Sequence, residues 1–349
     1  MAGAMGRFEH GGDVYAHEGA VDFSASLNPL GMPPAVVAAL RDGAGRFDAY
    51  PDPECRELRA AIAAAEGVSA GQVLCTAGAT DLMSRVCLAL RPERALVTAP
   101  CFSGYEQALE QAGVPIERHE LREGEGFRVT ERFVQRVRRT PNALVFLCNP
   151  NNPTGLTVGR DLIVSAVRAA AEVGSAVVVD ECFLDFTREP SMVPLCGELP
   201  NLVVMRAFTK LYAMAGLRLG YGICSDEDLL GRVRAAGQPW AVSTPAQVAG
   251  VVALGVEGWA ERTRAYVDAA RAELAAALRG LGLRVVDGEA NYLMFQAGEG
   301  LYERMLERGF LIRRCANFHG LDATWYRVAV RTREDNAALV AALQSATTD

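Results

Sequence analysis

Between residues 72 and 224, short apolar runs alternate with stretches whose apolar positions recur every three or four residues. The runs predict strands over 72–75, 95–98, 116–121, 143–148, 175–180, 201–206 and 219–224. The spaced stretches predict helices over 53–66, 79–90, 104–111, 130–138 and 158–173. The first helix is predicted with Pro53 at its start and Gly67 just past its end. Several runs carry no polar break, as in Ala176-Val177-Val178-Val179. A strand apolar on both sides is one covered on both faces, as in a mainly parallel sheet between helical layers. The expected class is therefore α/β, with a three-layer, mainly parallel sheet.

Beyond about Trp240 the pattern changes. Ala- and Arg-rich helical sequence fills 245–280. Short strands over 283–286, 292–295 and 326–330 then alternate with helices over 301–308 and 333–344. This predicts a smaller α+β domain. The boundaries read as an N-terminal arm, 1–41, packing on the small domain, a large domain, 42–243, and a C-terminal small domain, 244–349.

Composition narrows the chemistry. The 349 residues are 50% hydrophobic and 22% charged, with a net charge of −7, which argues against a nucleic-acid surface. No apolar stretch reaches membrane-spanning length, and residues 1–10 show no apolar leader core, so a cytoplasmic protein is expected. The nine cysteines are scattered without C-x-x-C, and the four histidines form no H-E-x-x-H, so neither a disulfide framework nor a metal site is expected. No G-x-G-x-x-G follows a strand, which sets nicotinamide chemistry aside.

Lysine and arginine together number 35, and all but Lys210 are arginine. Arginine replaces lysine as a surface cation. It does not replace it as a nucleophilic amine, because guanidinium keeps its proton. A lone surviving lysine marks a place where amine chemistry is required.

Four strand ends carry useful groups: Gly78-Ala79-Thr80, Asn152-Pro153-Thr154-Gly155, Asp180-Glu181-Cys182-Phe183, and Thr209-Lys210 followed by Gly216-Leu217-Arg218-Leu219-Gly220. In this order they resemble the aminotransferase-like, fold type I pyridoxal-phosphate enzymes. The resemblance implies pyridoxal 5'-phosphate held covalently on Lys210, with Asp180 at the ring nitrogen and Asn152 at the ring oxygen. It places Phe102 on the ring face and Phe183 where related aminotransferases carry tyrosine. The cofactor phosphate falls to Ala79, Thr80, Thr209 and Arg218. Tyr50, in Tyr50-Pro51-Asp52, matches a tyrosine that reaches the partner subunit's cofactor, which implies a homodimer with shared sites. Ala207, Ala79 and Cys182 depart from the family's more usual residues.

Within that family the terminal segments resemble the threonine-phosphate decarboxylases more closely than the histidinol-phosphate aminotransferases. They are His10-Gly11-Gly12, Asp22 through Gly31, and Leu311 through Arg331. The resemblance implies decarboxylation of L-threonine O-3-phosphate to (R)-1-amino-2-propanol O-2-phosphate, for cobalamin biosynthesis. A histidinol-phosphate-type aminotransferase, or a decarboxylase acting on L-serine O-phosphate, stays open. His10, Asn28, Arg313 and Arg327 are the expected substrate contacts, and which arginine takes the carboxylate and which the phosphate stays open too.

Overall fold

The structure, a computed structural model, describes residues 9–348; the first eight positions of the arm lie outside the described residues. The chain begins with β1 (Val21–Asp22), α1 (Pro34–Asp42) and α2 (Arg56–Glu66). Then come β2 (Val73–Thr76), α3 (Ala79–Leu90), β3 (Arg94–Ala99), α4 (Gly104–Gln111), β4 (Ile116–Glu120), α5 (Glu131–Arg138), β5 (Ala143–Cys148) and α6 (Arg160–Glu172). It continues through β6 (Ala176–Asp180), β7 (Leu202–Ala207), α7 (Phe208–Leu211), β8 (Gly220–Ile223) and α8 (Glu227–Ala235).

Seven of these strands form one sheet in the order β2-β8-β7-β6-β5-β3-β4. Only β8 runs against its neighbours; the other pairings are parallel. Alternation along each strand splits the core in two. Val145, Leu147, Val177 and Val179 join the cluster that holds α5 and α6 residues. Leu144, Phe146 and Val178 join the cluster that holds α3 and α4 residues. All six residues of β5 are buried, which explains why its sequence has no polar break.

The rest of the chain comprises α9 (Thr244–Leu254), α10 (Trp259–Gly280), β9 (Arg284–Val285), β10 (Tyr292–Gln296), α11 (Leu301–Glu307), β11 (Phe310–Leu311), β12 (Arg313–Arg314), β13 (Trp325–Ala329) and α12 (Arg333–Thr348). A second, antiparallel sheet runs β12-β13-β10-β9. The arm is laced onto this body: β1 pairs in parallel with β11, and Ala329 N donates to Phe23 O at 2.8 Å.

Two features differ from the sequence reading. The helix predicted from Pro53 starts at Arg56, because the Asp52 carboxylate takes the amides of Glu54 (3.0 Å) and Arg56 (2.7 Å) while Cys55 turns left-handed at φ 46°. Val36 of α1 and Ala246, Ala249 and Ala253 of α9 pack into the core of the large sheet. By the sequence reading α1 belongs with the arm and α9 with the small domain, since Ala-rich composition does not say which body a helix faces. Among the described residues no helix is long and apolar enough to cross a membrane, and no cluster is fit to hold a metal. All nine cysteines are free and buried.

One polar cluster sits in this core. Arg206, near the end of β7, meets Asp185 at 2.5 Å, Glu66 at 3.5 Å and Glu181 at 3.7 Å. Tyr221 completes it, donating to Glu66 at 2.5 Å.

Candidate active site

In an open α/β sheet, functional groups collect beyond the carboxyl ends of the strands. Here β5 runs into the Asn149–Gly155 loop, β6 ends on Asp180, and β7 delivers α7 with Thr209 and Lys210. The loop is tied down by its own amides. Asn149 Nδ2 donates to Val158 O (3.2 Å), and Asn151 Nδ2 donates to Pro100 O (3.1 Å) and Thr154 Oγ1 (3.0 Å). Asn152 is thereby left facing a cavity of about 250 Å³.

That cavity collects most of the residues singled out above: Ala79, Thr80, Phe102, Asn152, Asp180, Phe183, Thr209, Lys210 and Arg218, together with His10, Arg313 and Arg327. Two stand elsewhere. Tyr50 is 81% exposed and its ring lies 4.8 Å from that of Trp240. Asn28 is buried with its polar atoms committed. Its Nδ2 donates to Leu211 O (2.6 Å) and Thr263 Oγ1 (2.8 Å), and its Oδ1 accepts from Leu30 N (2.9 Å). Its backbone N–H donates to Lys210 O at 3.1 Å. Asn28 therefore braces the lysine helix, in place of the expected substrate contact.

Glycines set the close approaches. A Cβ on Gly220 would meet the backbone of Ala79 and Gly78 at 2.8 Å, so glycine lets the start of α3 rest on β8. A Cβ on Gly78, at φ +90°, would meet the Arg218 guanidinium at 2.8 Å. The first amides of α3 and the Arg218 cation thus lie side by side, a donor set suited to a phosphate.

Burial decides the electrostatics. The Lys210 amine is desolvated and faces the charge of Arg327, which together bring its pKa down to about 8. Its Nζ lies 5.1 Å from the centroid of the Phe183 ring. Asp180 is held by Tyr105 Oη (2.6 Å) and Cys182 N (2.9 Å), yet burial still raises its pKa.

Arg327 donates Nη1 to Asn152 Oδ1 and Nη2 to Ser24 O (2.8 Å). Arg313 donates to Arg314 O (2.5 Å), Glu9 O (2.7 Å) and Asn317 Oδ1 (2.8 Å), under the Phe318 ring at 5.1 Å. Neither guanidinium has a carboxylate partner among the described residues. Burial lowers the pKa of both, that of Arg313 to about 10. Because guanidinium does not surrender its proton, these shifts register two buried positive charges whose desolvation outweighs the nearby carboxylates of Glu9 and Asp22.

The arm closes the site. A Cβ on Gly11 would meet Ser24 O at 2.5 Å, so only glycine lets the arm lie flat there. The His10 ring lies 5.4 Å from Phe102, and burial followed by the nearby Arg313 charge lowers the His10 pKa. His10, Gly11, Ser24 and Arg313 also line an outer cavity of about 810 Å³. That larger space lacks the amine and Asp180, which makes it the approach and the smaller one the chemical site.

Sequence reading missed Tyr105, Ser26, Ser103 and Phe318. Tyr105 lies on the first turn of α4, but Phe102 precedes that helix, so helical spacing gave no signal that the two share a site. The serines gave no signal, since turns and helix starts are rich in serine for ordinary reasons.

A family model described as aminotransferase class I and II matches residues 18–343. The chain is 38% identical over 334 residues to a threonine-phosphate decarboxylase of Salmonella typhimurium, covering 94% of this chain and 91% of that protein. It superposes on the histidinol-phosphate aminotransferase of Clostridium acetobutylicum with a TM-score of 0.87, at 26% identity over 93% of this chain and 98% of that one. On the L-threonine-O-3-phosphate decarboxylase of Porphyromonas gingivalis the TM-score is 0.82, at 25% identity over 94% and 99%.

Proposed function

Because this chain belongs to the aminotransferase class I and II family, we propose that it uses pyridoxal 5'-phosphate on Lys210 to decarboxylate L-threonine O-3-phosphate, yielding (R)-1-amino-2-propanol O-2-phosphate for cobalamin biosynthesis. One observation carries the reading: a single cavity holds one amine of lowered pKa and two buried arginines that, among the described residues, form no direct ion pair. An amine suits an aldehyde cofactor, and two such cations suit a substrate with two anionic groups.

The residues present fit the cofactor. The α3 amides and Arg218 would donate to its phosphate, brought together where Gly78 and Gly220 leave no room for a side chain. Asp180 lies buried where a ring nitrogen would need an anion, and the Ser103 hydroxyl is buried without a partner among the described residues. Bound there, the cofactor supplies an electron sink for the pair left at the substrate Cα when a group departs.

The protein's part is to bind, orient and hold protons. Asp180, fixed by Tyr105, keeps a proton on the ring nitrogen. Phe102 covers one ring face. Asn152, already held through Arg327, turns its amide toward the ring oxygen. Arg327 takes the substrate carboxylate, and Arg313, with His10, takes the phosphate at the arm side. With both anions fixed, Arg327 would hold the substrate carboxylate in the orientation from which it leaves. Lys210 Nζ then returns a proton to Cα. Phe183 offers no hydroxyl to the ring oxygen, unlike the tyrosine of related aminotransferases. The active protein is a homodimer, with Tyr50 reaching the partner's cofactor phosphate, and works in the cytoplasm, where nine buried free thiols persist.

Incubation with L-threonine phosphate is expected to release CO2 and the amino-alcohol phosphate. Keto-acid formation from histidinol phosphate and 2-oxoglutarate, without CO2, would replace this reading with the aminotransferase one. Faster release from L-serine phosphate would change only the substrate.

A further inference from the structure

Two serines of the arm, Ser24 and Ser26, line the chemical cavity, and their hydroxyls differ in one respect. Ser24 Oγ is fully used: it donates to Asp22 Oδ1 at 2.6 Å and accepts from Gly12 N at 2.7 Å. Ser26 is 2% exposed, and its Oγ has no hydrogen-bond partner among the described residues. An unpaired buried hydroxyl costs stability, so one kept at a cavity wall calls for a ligand partner.

What faces the same cavity names the ligand. Arg327 Nε is also buried without a partner among the described residues, while its two Nη atoms are tied to Asn152 and to the Ser24 carbonyl, two residues before Ser26. The uncommitted groups on this side are thus a guanidinium N–H and a hydroxyl, both able to donate. They suit an acceptor with several lone pairs, and a carboxylate is such a group.

We propose that Ser26 is a substrate-binding residue whose hydroxyl donates to the carboxylate held by Arg327. It would thereby make the site select α-amino acids over the corresponding amines. This rests on the assignment of Arg327 to the carboxylate above.

The test compares two ligands in the Ser26→Ala holoenzyme, by titrating the visible absorbance of the bound cofactor. One is L-threonine phosphate. The other is its amine, which lacks only the carboxylate. Loss of a hydrogen bond to a charged group is expected to weaken the acid about tenfold and to leave the amine within about twofold. The cofactor spectrum and melting temperature should match wild type. Ser24→Ala, which breaks a structural pair, should instead lower the melting temperature and weaken both ligands together. Equal responses of acid and amine to Ser26→Ala, or none, overturn the proposal. A wild-type enzyme inert toward threonine phosphate sinks the functional reading alone. The comparison is then made with L-glutamate against 4-aminobutyrate, and the same outcomes decide Ser26.

Discussion

Lys210 lies among apolar and cationic neighbours: Phe183 faces its amine, Arg327 repels it, and no carboxylate pairs with it among the described residues. A protonated amine does not attack an aldehyde, so capture of the cofactor depends on the neutral form. With a pKa of about 8, that fraction grows roughly tenfold per pH unit below this value and levels off above it. Reconstitution of the apoenzyme with pyridoxal phosphate should follow this profile, read as the growth rate of the visible absorbance band. A rate flat from pH 6 to 9 would mean that the amine is not the group captured. Lys210→Arg keeps the charge and the length but should abolish the borohydride-fixed adduct on the peptide containing this position, because guanidinium stays protonated. At this scale the sequence was most readable. A lone amine in a chain whose other strong cations are all arginine, and an aspartate closing an apolar run, announce themselves. Ser26 and Asn28 did not, because their meaning lies in which hydrogen bonds are already taken, and this depends on residues distant in sequence.

The elements around the site are held by two kinds of contact, each with its own test. Backbone approach is the first. Gly220→Ala puts a methyl 2.8 Å from the backbone of Gly78 and Ala79, and neither end is flexible. The start of α3 must move off β8, and cofactor phosphate affinity should fall at least tenfold while the sheet persists, as measured by equilibrium dialysis of pyridoxal phosphate and by circular dichroism. Buried charge is the second. Arg206→Met strands Glu66, Glu181 and Asp185 without their cation and should cost about 3–5 kcal/mol in urea unfolding at pH 8. Glu181 gives this cluster a pH signature. Burial pushes its pKa up to about 7 from 4.5. For an acid raised on folding, the stabilising state is the protonated one. Its contribution is full below about 4.5 and is lost as pH rises through about 7. Relative to Glu181→Gln, wild type should therefore lose stability across that window, by about 2–3 kcal/mol at its end. Strand positions were legible from their unbroken apolar runs. The place of α1 and α9 was not, since Ala-rich helices present nearly uniform faces and packing alone chooses their body.

Across the whole molecule, exposure poses the remaining question. The Tyr50 and Trp240 rings meet at a tilt on the surface, 81% and 47% exposed, with Phe47 and Val37 also uncovered. A tyrosine so exposed contributes little to its own subunit's core. Arg218, the other proposed phosphate ligand, is exposed as well. A second copy placing its Tyr50 near Arg218 would cover both, and would make the site a joint product of two chains. Sharing has a consequence that burial alone does not. Tyr50→Phe and Lys210→Ala should each be nearly inactive as pure dimers, the first through loss of phosphate affinity and the second through loss of the amine. Mixed, unfolded and refolded together at equal amounts, they form hybrids in which one site carries both defects and the other carries neither. Activity should then return to about a quarter of the wild-type level, the share of intact sites expected for random pairing. If Tyr50 serves its own subunit, every site in the hybrid keeps one defect and mixing restores nothing. Sedimentation equilibrium on each variant separates this outcome from simple dissociation: both should remain dimers, since Tyr50→Phe removes one hydroxyl and leaves the ring that packs on Trp240.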